Sequence, residues 1–191
     1  MLKVWRYFSL CNMRKIYLLK PFCFILILLL SKEIYAQQKA SIDFAATRNM
    51  SNATYGLNLS GFYHFSERIV GGLEVNRFFP ITRKLGEEDV EISAWDFDLN
   101  FHYNIPLAKK LIFYPLTGVS HTSDKEFIPA LGETVYSRFY SFNTGAGLFL
   151  EGHKIVPYVE CNLTWGKINQ QFLLAGFSYE LEWGHHSKEK E

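Results

Sequence analysis

Ser93 to Ile105 reads SAWDFDLNFHYNI. Every second residue is large and apolar (Trp95, Phe97, Leu99, Phe101, Tyr103, Ile105), and those between are small or polar (Ala94, Asp96, Asp98, Asn100, His102, Asn104). Successive side chains of a strand point to opposite faces, so this two-residue period predicts a β-strand. Alternation does not say which face meets what. A soluble sheet hides its aromatic face and wets its polar one, whereas a membrane barrel does the reverse.

The same reading along the chain predicts eight strands, at 40–48, 54–65, 68–78, 93–105, 110–120, 136–150, 154–165 and 171–183. No long amphipathic helix and no fixed-period repeat is visible. Most of these segments exceed the five or six residues usual in soluble sheets. They match the nine to eleven residues that a tilted strand needs to cross a bilayer. Short connections follow strands two, four and six, at 66–67, 106–109 and 151–153. Polar loops, 80–92 and 121–135, follow strands three and five. Short turns on one side and longer loops on the other are the layout of a bacterial outer-membrane barrel. The connections near 49–53 and 166–170 are short and fit that layout less well.

The polar faces of these strands are rich in Gly, Ser, Asn, Asp and Glu, and lysine is expected only at strand starts, as at Lys110 and Lys154. Water-facing strands usually carry lysine, which also guards sheet edges. Small polar residues suit the interior of an eight-stranded barrel, which is just wide enough to be filled by side chains. The apolar faces then look outward to lipid. Trp95, Phe97, Phe101, Tyr103, Trp165, Phe177, Tyr179 and Trp183 are the expected lipid-facing and girdle residues, several of them near strand ends. The expected architecture is all-β, an eight-stranded antiparallel up-and-down transmembrane β-barrel. In lipid every backbone group must be paired, so the sheet must close. An even strand count returns both termini to the periplasm. The rival fold is a soluble barrel of lipocalin type, with the aromatic face turned inward around a ligand.

Residues 1–36 differ from the rest. They carry six Lys or Arg, one acid, the apolar run FCFILILLL (Phe22–Leu30) and the segment SKEIYAQQ. This is the pattern of a secretory signal peptide cleaved after Ala36, and the run is too short for a spanning helix. Met13 is an alternative start. Cys23 lies within the run, so no lipidated N-terminus is indicated. The expected organisation is a signal peptide, 1–36, a barrel, 37–183, and a polar tail, 184–191. The exported part has 14 Lys plus Arg and 18 Asp plus Glu, a formal charge of −4. A mildly acidic chain without a basic run points away from nucleic acid. Cys161 is the one cysteine left after cleavage, so no intramolecular disulfide can form.

The sequence resembles the small outer-membrane β-barrels of the OmpA/OmpX type, especially the porin-family barrels common in Bacteroidetes. The resemblance covers Gln37 to Trp183. It is carried most specifically by FYPLTGVS (113–120), FNTGAGLFLEGHKIVPYVECNLTWG (142–166) and the terminal GFSYELEW (176–183). It implies a Gram-negative cell-envelope protein in the outer membrane, in contact with outer-membrane lipid and lipopolysaccharide. It also implies insertion by the barrel assembly machinery, which reads the aromatic-rich last strand. Such barrels share a fold and no single activity. The tail GHHSKEKE departs from a pattern that often ends on the aromatic itself.

The expected inward face holds a polar network of His64, Glu74, Asp96, Asp98, His102, Glu160 and Glu180, with Arg77 and Arg138 on the opposite parity. Buried carboxylates without partners are costly. They suit either a closed interior or a narrow path for cations or small solutes. Phe62 breaks the polar parity of its strand. His121 and Ser123, with Glu133 as orienting acid, are the only candidates for a hydrolytic set of the lipid A deacylase kind. Gly145 and Gly147 lie mid-strand, with no helix after them, so they are not a phosphate cradle. His185 and His186 are read as solvated, and Cys161 as a small apolar residue. No catalytic residue, cofactor or metal is expected. The expected function is structural or in surface interaction, with an unidentified extracellular partner. The alternatives are a narrow pore and a lipid A-modifying enzyme.

Overall fold

The computed structural model describes residues 38–86, 88–152 and 154–183. The expected signal peptide, the polar tail with His185 and His186, and the side chain of Trp183 lie outside the described residues.

Eight strands follow one another: β1 (Gln38–Asn49), β2 (Thr54–His64), β3 (Ile69–Leu85), β4 (Glu88–Tyr103), β5 (Leu111–Ile128), β6 (Glu133–Leu150), β7 (Ile155–Gly166) and β8 (Gln170–Trp183). A two-residue piece, Ile105–Pro106, continues β4 along β5. All pairings are antiparallel between neighbours in sequence, and β1 pairs with β8, so the sheet closes. Gln38 pairs with Trp183, which puts both described ends at one rim, here the terminal end. The opposite rim is the distal end.

The pairings also give the stagger of the barrel. From Lys39 the ladder runs through His64, Val70, His102, Leu116, Gly145, Asn162 and Phe172 and returns to β1 at Asn49. One circuit therefore advances ten residues. For eight strands that stagger corresponds to a tilt of about 40°. Trp95 and Tyr103, eight residues apart on β4, are then separated by about 20 Å along the barrel axis.

Inside and outside alternate as the two-residue period predicts. On β2 the buried residues are Thr54, Gly56, Asn58, Ser60 and Phe62, and the exposed ones are Tyr55, Leu57, Leu59, Gly61 and Tyr63. Phe62 faces inward with the polar set. The lipocalin-type arrangement is excluded, because Trp95, Phe97 and Leu99 stand outside while Asp96 and Asp98 are buried.

Turn chemistry at the rims is local. At the terminal end the Ser66 hydroxyl accepts hydrogen bonds from the backbone N–H groups of Arg68 and Ile69. At the distal end Asn49 does the same for Ser51 and Asn52. Gly86 and Gly132 sit in two further distal turns with φ of +68° and +66°, a conformation that favours glycine.

The strands run further than alternation suggested. Segments 80–92 and 121–135, expected as polar loops, are mostly strand, with turns confined to the neighbourhood of Gly86 and to Pro129–Gly132. Their charged residues obscure the pattern, but pairing between β4 and β5 out to Glu91 and Phe127 holds the extension together. Pro80 falls at a register shift between Phe78 and Ile81, where a missing N–H is tolerated. Lysine also enters the strands, at Lys39, Lys84 and Lys125, contrary to expectation. Lys84 and Lys125 belong to the distal extensions, and Lys39 is near the terminal rim.

Candidate functional site

The barrel interior is built from one inward side chain per two residues of each strand. His64, Glu74, Asp96, Asp98, His102, Glu160 and Glu180 all have the inward parity, and Glu74, Asp96, Asp98 and Glu160 are buried. They do not form one network. A central set is tied by asparagines: Asn58 Nδ2 donates to Glu74 Oε2 (3.3 Å) and to Asn76 Oδ1 (3.0 Å). Asn76 Nδ2 donates to Asp98 Oδ2 (3.0 Å), and Asn100 Nδ2 donates to Glu74 Oε1 (2.6 Å). Asn143 Nδ2 reaches Asn100 Oδ1 (3.1 Å), carrying the chain of bonds across to β6. Ser60 donates to Asn58 Oδ1 (2.7 Å).

Nearer the terminal end, Glu160 Oε2 accepts from the Tyr114 hydroxyl (2.9 Å), and Asp43 Oδ1 accepts from Ser178 (2.6 Å). The His102 ring lies between Phe62 and Tyr114, with centroids 4.5 and 4.8 Å away. Lys39 bridges Glu180 at 2.8 Å and reaches Glu182 at 3.9 Å. Asp96 Oδ1, Asp98 Oδ1, Glu160 Oε1 and His102 Nε2 have no hydrogen-bond partner among the described residues.

Sequence reading missed Asp43 and the asparagines 58, 76, 100 and 143. Their signal was parity: each falls on the polar face of its own strand. Tyr114 was missed for a different reason. It is a large aromatic at an inward position, and it fits because Gly147 faces it. A Cβ on Gly147 would come within 2.3 Å of the Tyr114 hydroxyl. Gly145 and Gly147 thus make room for inward side chains, as expected for mid-strand glycines.

Two cavities flank the central bonds. A distal basin of about 170 Å³ is lined by Asp96, Asp124, Glu126, Arg83 and Gln170, with Ile81, Ile92 and Ile168. A smaller space of about 50 Å³ near the terminal end is lined by His64, Glu74, His102, Tyr114, Glu160 and Glu180, among others. The cavities share no lining residue. Between them, on one side of the wall, Ala45, Phe78, Phe172 and Leu174 pack as the apolar core of the interior.

On the exterior stand Trp95, Phe97, Phe101, Tyr103, Trp165, Phe177 and Tyr179, all well exposed. Cys161 is exposed among them. Arg48, Arg77 and Arg138 also have the outward parity. His121 points outward against Tyr140, at 4.8 Å between centroids, and Ser123 shares its face. Glu133 pairs with Ile128, five residues beyond Ser123, about 17 Å further along the strand. The three groups of the postulated hydrolytic set are not assembled.

The distal extensions leave two sheet edges. β2 pairs with β3 only as far as Phe78, so residues 79–85 have no strand on that side. β7 pairs with β6 only from Ser141, so residues 133–140 have none on theirs.

No protein-family model and no curated protein sequence matches this chain. Solved structures do match it. The attachment invasion locus protein Ail of Yersinia pestis aligns at a TM-score of 0.56 and 15% identity, covering 76% of this chain and 99% of Ail. The N-terminal β-barrel domain of Pseudomonas aeruginosa OprF aligns at 0.56 and 14%, covering 76% and 98%. Neisserial surface protein A aligns at 0.56 and 10%, covering 76% and 97%. The chain has the fold of the small eight-stranded outer-membrane β-barrels.

Proposed function

We propose that this chain is an integral outer-membrane barrel with a closed interior, whose distal hairpins bind an extended segment of an extracellular partner by strand addition. The membrane part of this reading rests on the exterior aromatic and aliphatic surface, on the closure of the sheet, and on the neighbours' fold. A band of about 20 Å between Trp95 and Tyr103 is close to the apolar height such barrels present to lipid. Both termini are then periplasmic, the aromatic-rich β8 is the strand that assembly machinery reads, and the distal hairpins face outside.

The open edge of β6 is the observation that carries the binding role. An unpaired edge is a template for another strand, and proteins usually guard it with Pro, Lys or a bulge. The β3 edge has all three: Pro80, the register shift after Phe78, and Lys84. The β6 edge, ETVYSRFY, has no Pro, Lys or register shift, carries only Glu133 and Arg138 as charges, and exposes Tyr136 (62%) and Tyr140 (77%). Main-chain hydrogen bonds would supply affinity there and the aromatic side chains would supply selectivity.

The test is selection of displayed random dodecapeptides on the reconstituted barrel. Peptides that bind the wild-type protein should lose binding when Tyr136→Lys and Tyr140→Lys are combined. No enrichment, or binding unaffected by the pair, would remove this role. The interior carboxylates favour a second reading, a narrow cation path from the distal basin past Asp96, Asp98 and Glu74. Steady unitary currents in planar bilayers would establish it over the closed interior. The role is non-enzymatic, consistent with the separation of His121, Ser123 and Glu133.

A further inference from the structure

The charges of the barrel wall are sorted by side. Among the described strand residues between the terminal rim and the level of Trp95, the charged ones with outward parity are Arg48 and Arg77, and no carboxylate joins them; beyond Trp95 the outward Lys84, Asp89, Glu91, Lys125 and Arg138 carry both signs. The carboxylates of that lower zone point inside. This sorting is opposite to what solubility of a bare surface requires, where both signs are interspersed. It calls for an anion outside the wall.

Two of these arginines are built into a common unit. The Arg48 guanidinium lies over the Tyr55 ring at 5.2 Å, and the Arg77 guanidinium lies over Trp95 at 4.8 Å. Arg48 pairs with Tyr55, Leu57 pairs with Arg77, and Arg77 pairs with Trp95, so the two stacks are neighbours on β1–β4. With strands about 4.8 Å apart and tilted by about 40°, Arg48 and Arg77 lie within ~2 Å of the same height and ~12 Å apart around the wall. Trp95 lies about 4 Å above Arg48, and Arg138 about 9 Å beyond Arg77 toward the distal rim. The stacks therefore sit at the level of the distal aromatic girdle, where the hydrocarbon gives way to headgroups.

We propose that Arg48–Tyr55 and Arg77–Trp95 together form a binding site for an outer-leaflet lipid headgroup carrying two phosphates. This rests on the outer-membrane reading above. Stacking holds each guanidinium plane and leaves its edge free to donate paired N–H groups to phosphate oxygens. Arg77 directs one N–H toward the Ala94 carbonyl at 3.4 Å, which further fixes its orientation. A guanidinium on the lipid face is tolerated at little cost only near the interface, and two of them about 12 Å apart match a headgroup with separated phosphates better than a single monoester. The lipid's acyl chains would lie along the exposed Leu57, Leu59 and Phe97 below the stacks.

The experiment uses the full barrel in phosphatidylcholine nanodiscs doped with bis-phosphorylated lipid A, with monophosphoryl lipid A, or with neither. Lipid retained after transfer to detergent is counted by native mass spectrometry. The wild-type barrel should retain the bis-phosphorylated lipid in preference to the monophosphoryl form. Arg48→Gln with Arg77→Gln should reduce retention by at least ~10-fold, as expected for loss of charge-assisted hydrogen bonds. Arg138→Gln, further out, should stay within ~2-fold of wild type. Retention unchanged in the double variant, or lost equally in Arg138→Gln, overturns the site, because attraction would then be diffuse or absent. Folding is checked separately by the mobility of the unboiled protein on a gel. A chain that inserts in no bilayer overturns the membrane reading itself, whereas an inserted barrel with unchanged retention overturns this site alone.

Discussion

Asn58→Ala is the perturbation that most directly tests the closed interior. Asn58 is fully buried at the centre of the barrel. Its amide group donates to Glu74 and Asn76 and its carbonyl accepts from Ser60. Truncation removes three hydrogen bonds at once and leaves three buried groups without that partner. Each bond is worth about 0.5–1.5 kcal/mol net, so the loss should be about 1.5–4.5 kcal/mol. Glu74 also accepts from Asn100, so Asn58→Ala and Glu74→Gln act on one connected set. Their double-mutant cycle should show a coupling of about 1 kcal/mol or more. The assay is urea unfolding of the barrel refolded in phospholipid vesicles, followed by tryptophan emission and by unboiled gel mobility. A loss below about 1 kcal/mol, with strict additivity toward Glu74→Gln, would show that the asparagine bonds do not hold the interior closed.

Phe78→Ala should cost about 3–5 kcal/mol in the same assay, because Phe78 is 2% exposed and packs on Phe172 at 5.6 Å between centroids; a loss under about 1 kcal/mol would place that core elsewhere. Planar-bilayer recordings should show no steady unitary current for the wild-type barrel or for Asp96→Asn, and a current altered by that substitution would favour the cation path. Asp124 lies in the hairpin extensions beyond the girdle, where burial first and then the neighbouring Glu126 push its carboxyl above the ordinary range. The folded hairpin therefore takes up the proton more readily than the unfolded one. Its stability should fall as pH rises from the ordinary carboxylate range through the raised value. Amide exchange across 121–138 should show that slope, and Asp124→Asn should flatten it.

Alternation located all eight strands, and parity placed Asp96, Asp98, Glu74, Glu160 and the two histidines inside. It also marked Phe62, which breaks the polar face of β2, as the exception. The hairpin extensions were not legible, because Lys84, Glu88, Asp89 and Asp124 dilute the apolar period and Pro80 mimics a strand end. What keeps these segments in strands is hairpin pairing of 81–85 with 88–92 and of 123–128 with 133–138, joined by pairing between β4 and β5, a contact between residues some thirty positions apart. Tyr114 was illegible for a similar reason, since its room is made by Gly147 two strands' length away in sequence.

The amino-acid order by itself determined the period, the number of strands and which side chains share a face, because a strand's two-fold alternation is a local property of the backbone. Only the closed tertiary structure decided the stagger of ten residues. That stagger sets which residues reach the same height, and so brings Asn58 to Glu74, leaves β6 without a neighbour on its β7 side distal to Ser141, and sets Arg48 level with Arg77. Stagger belongs to the whole ring of hydrogen bonds, and no single strand carries it.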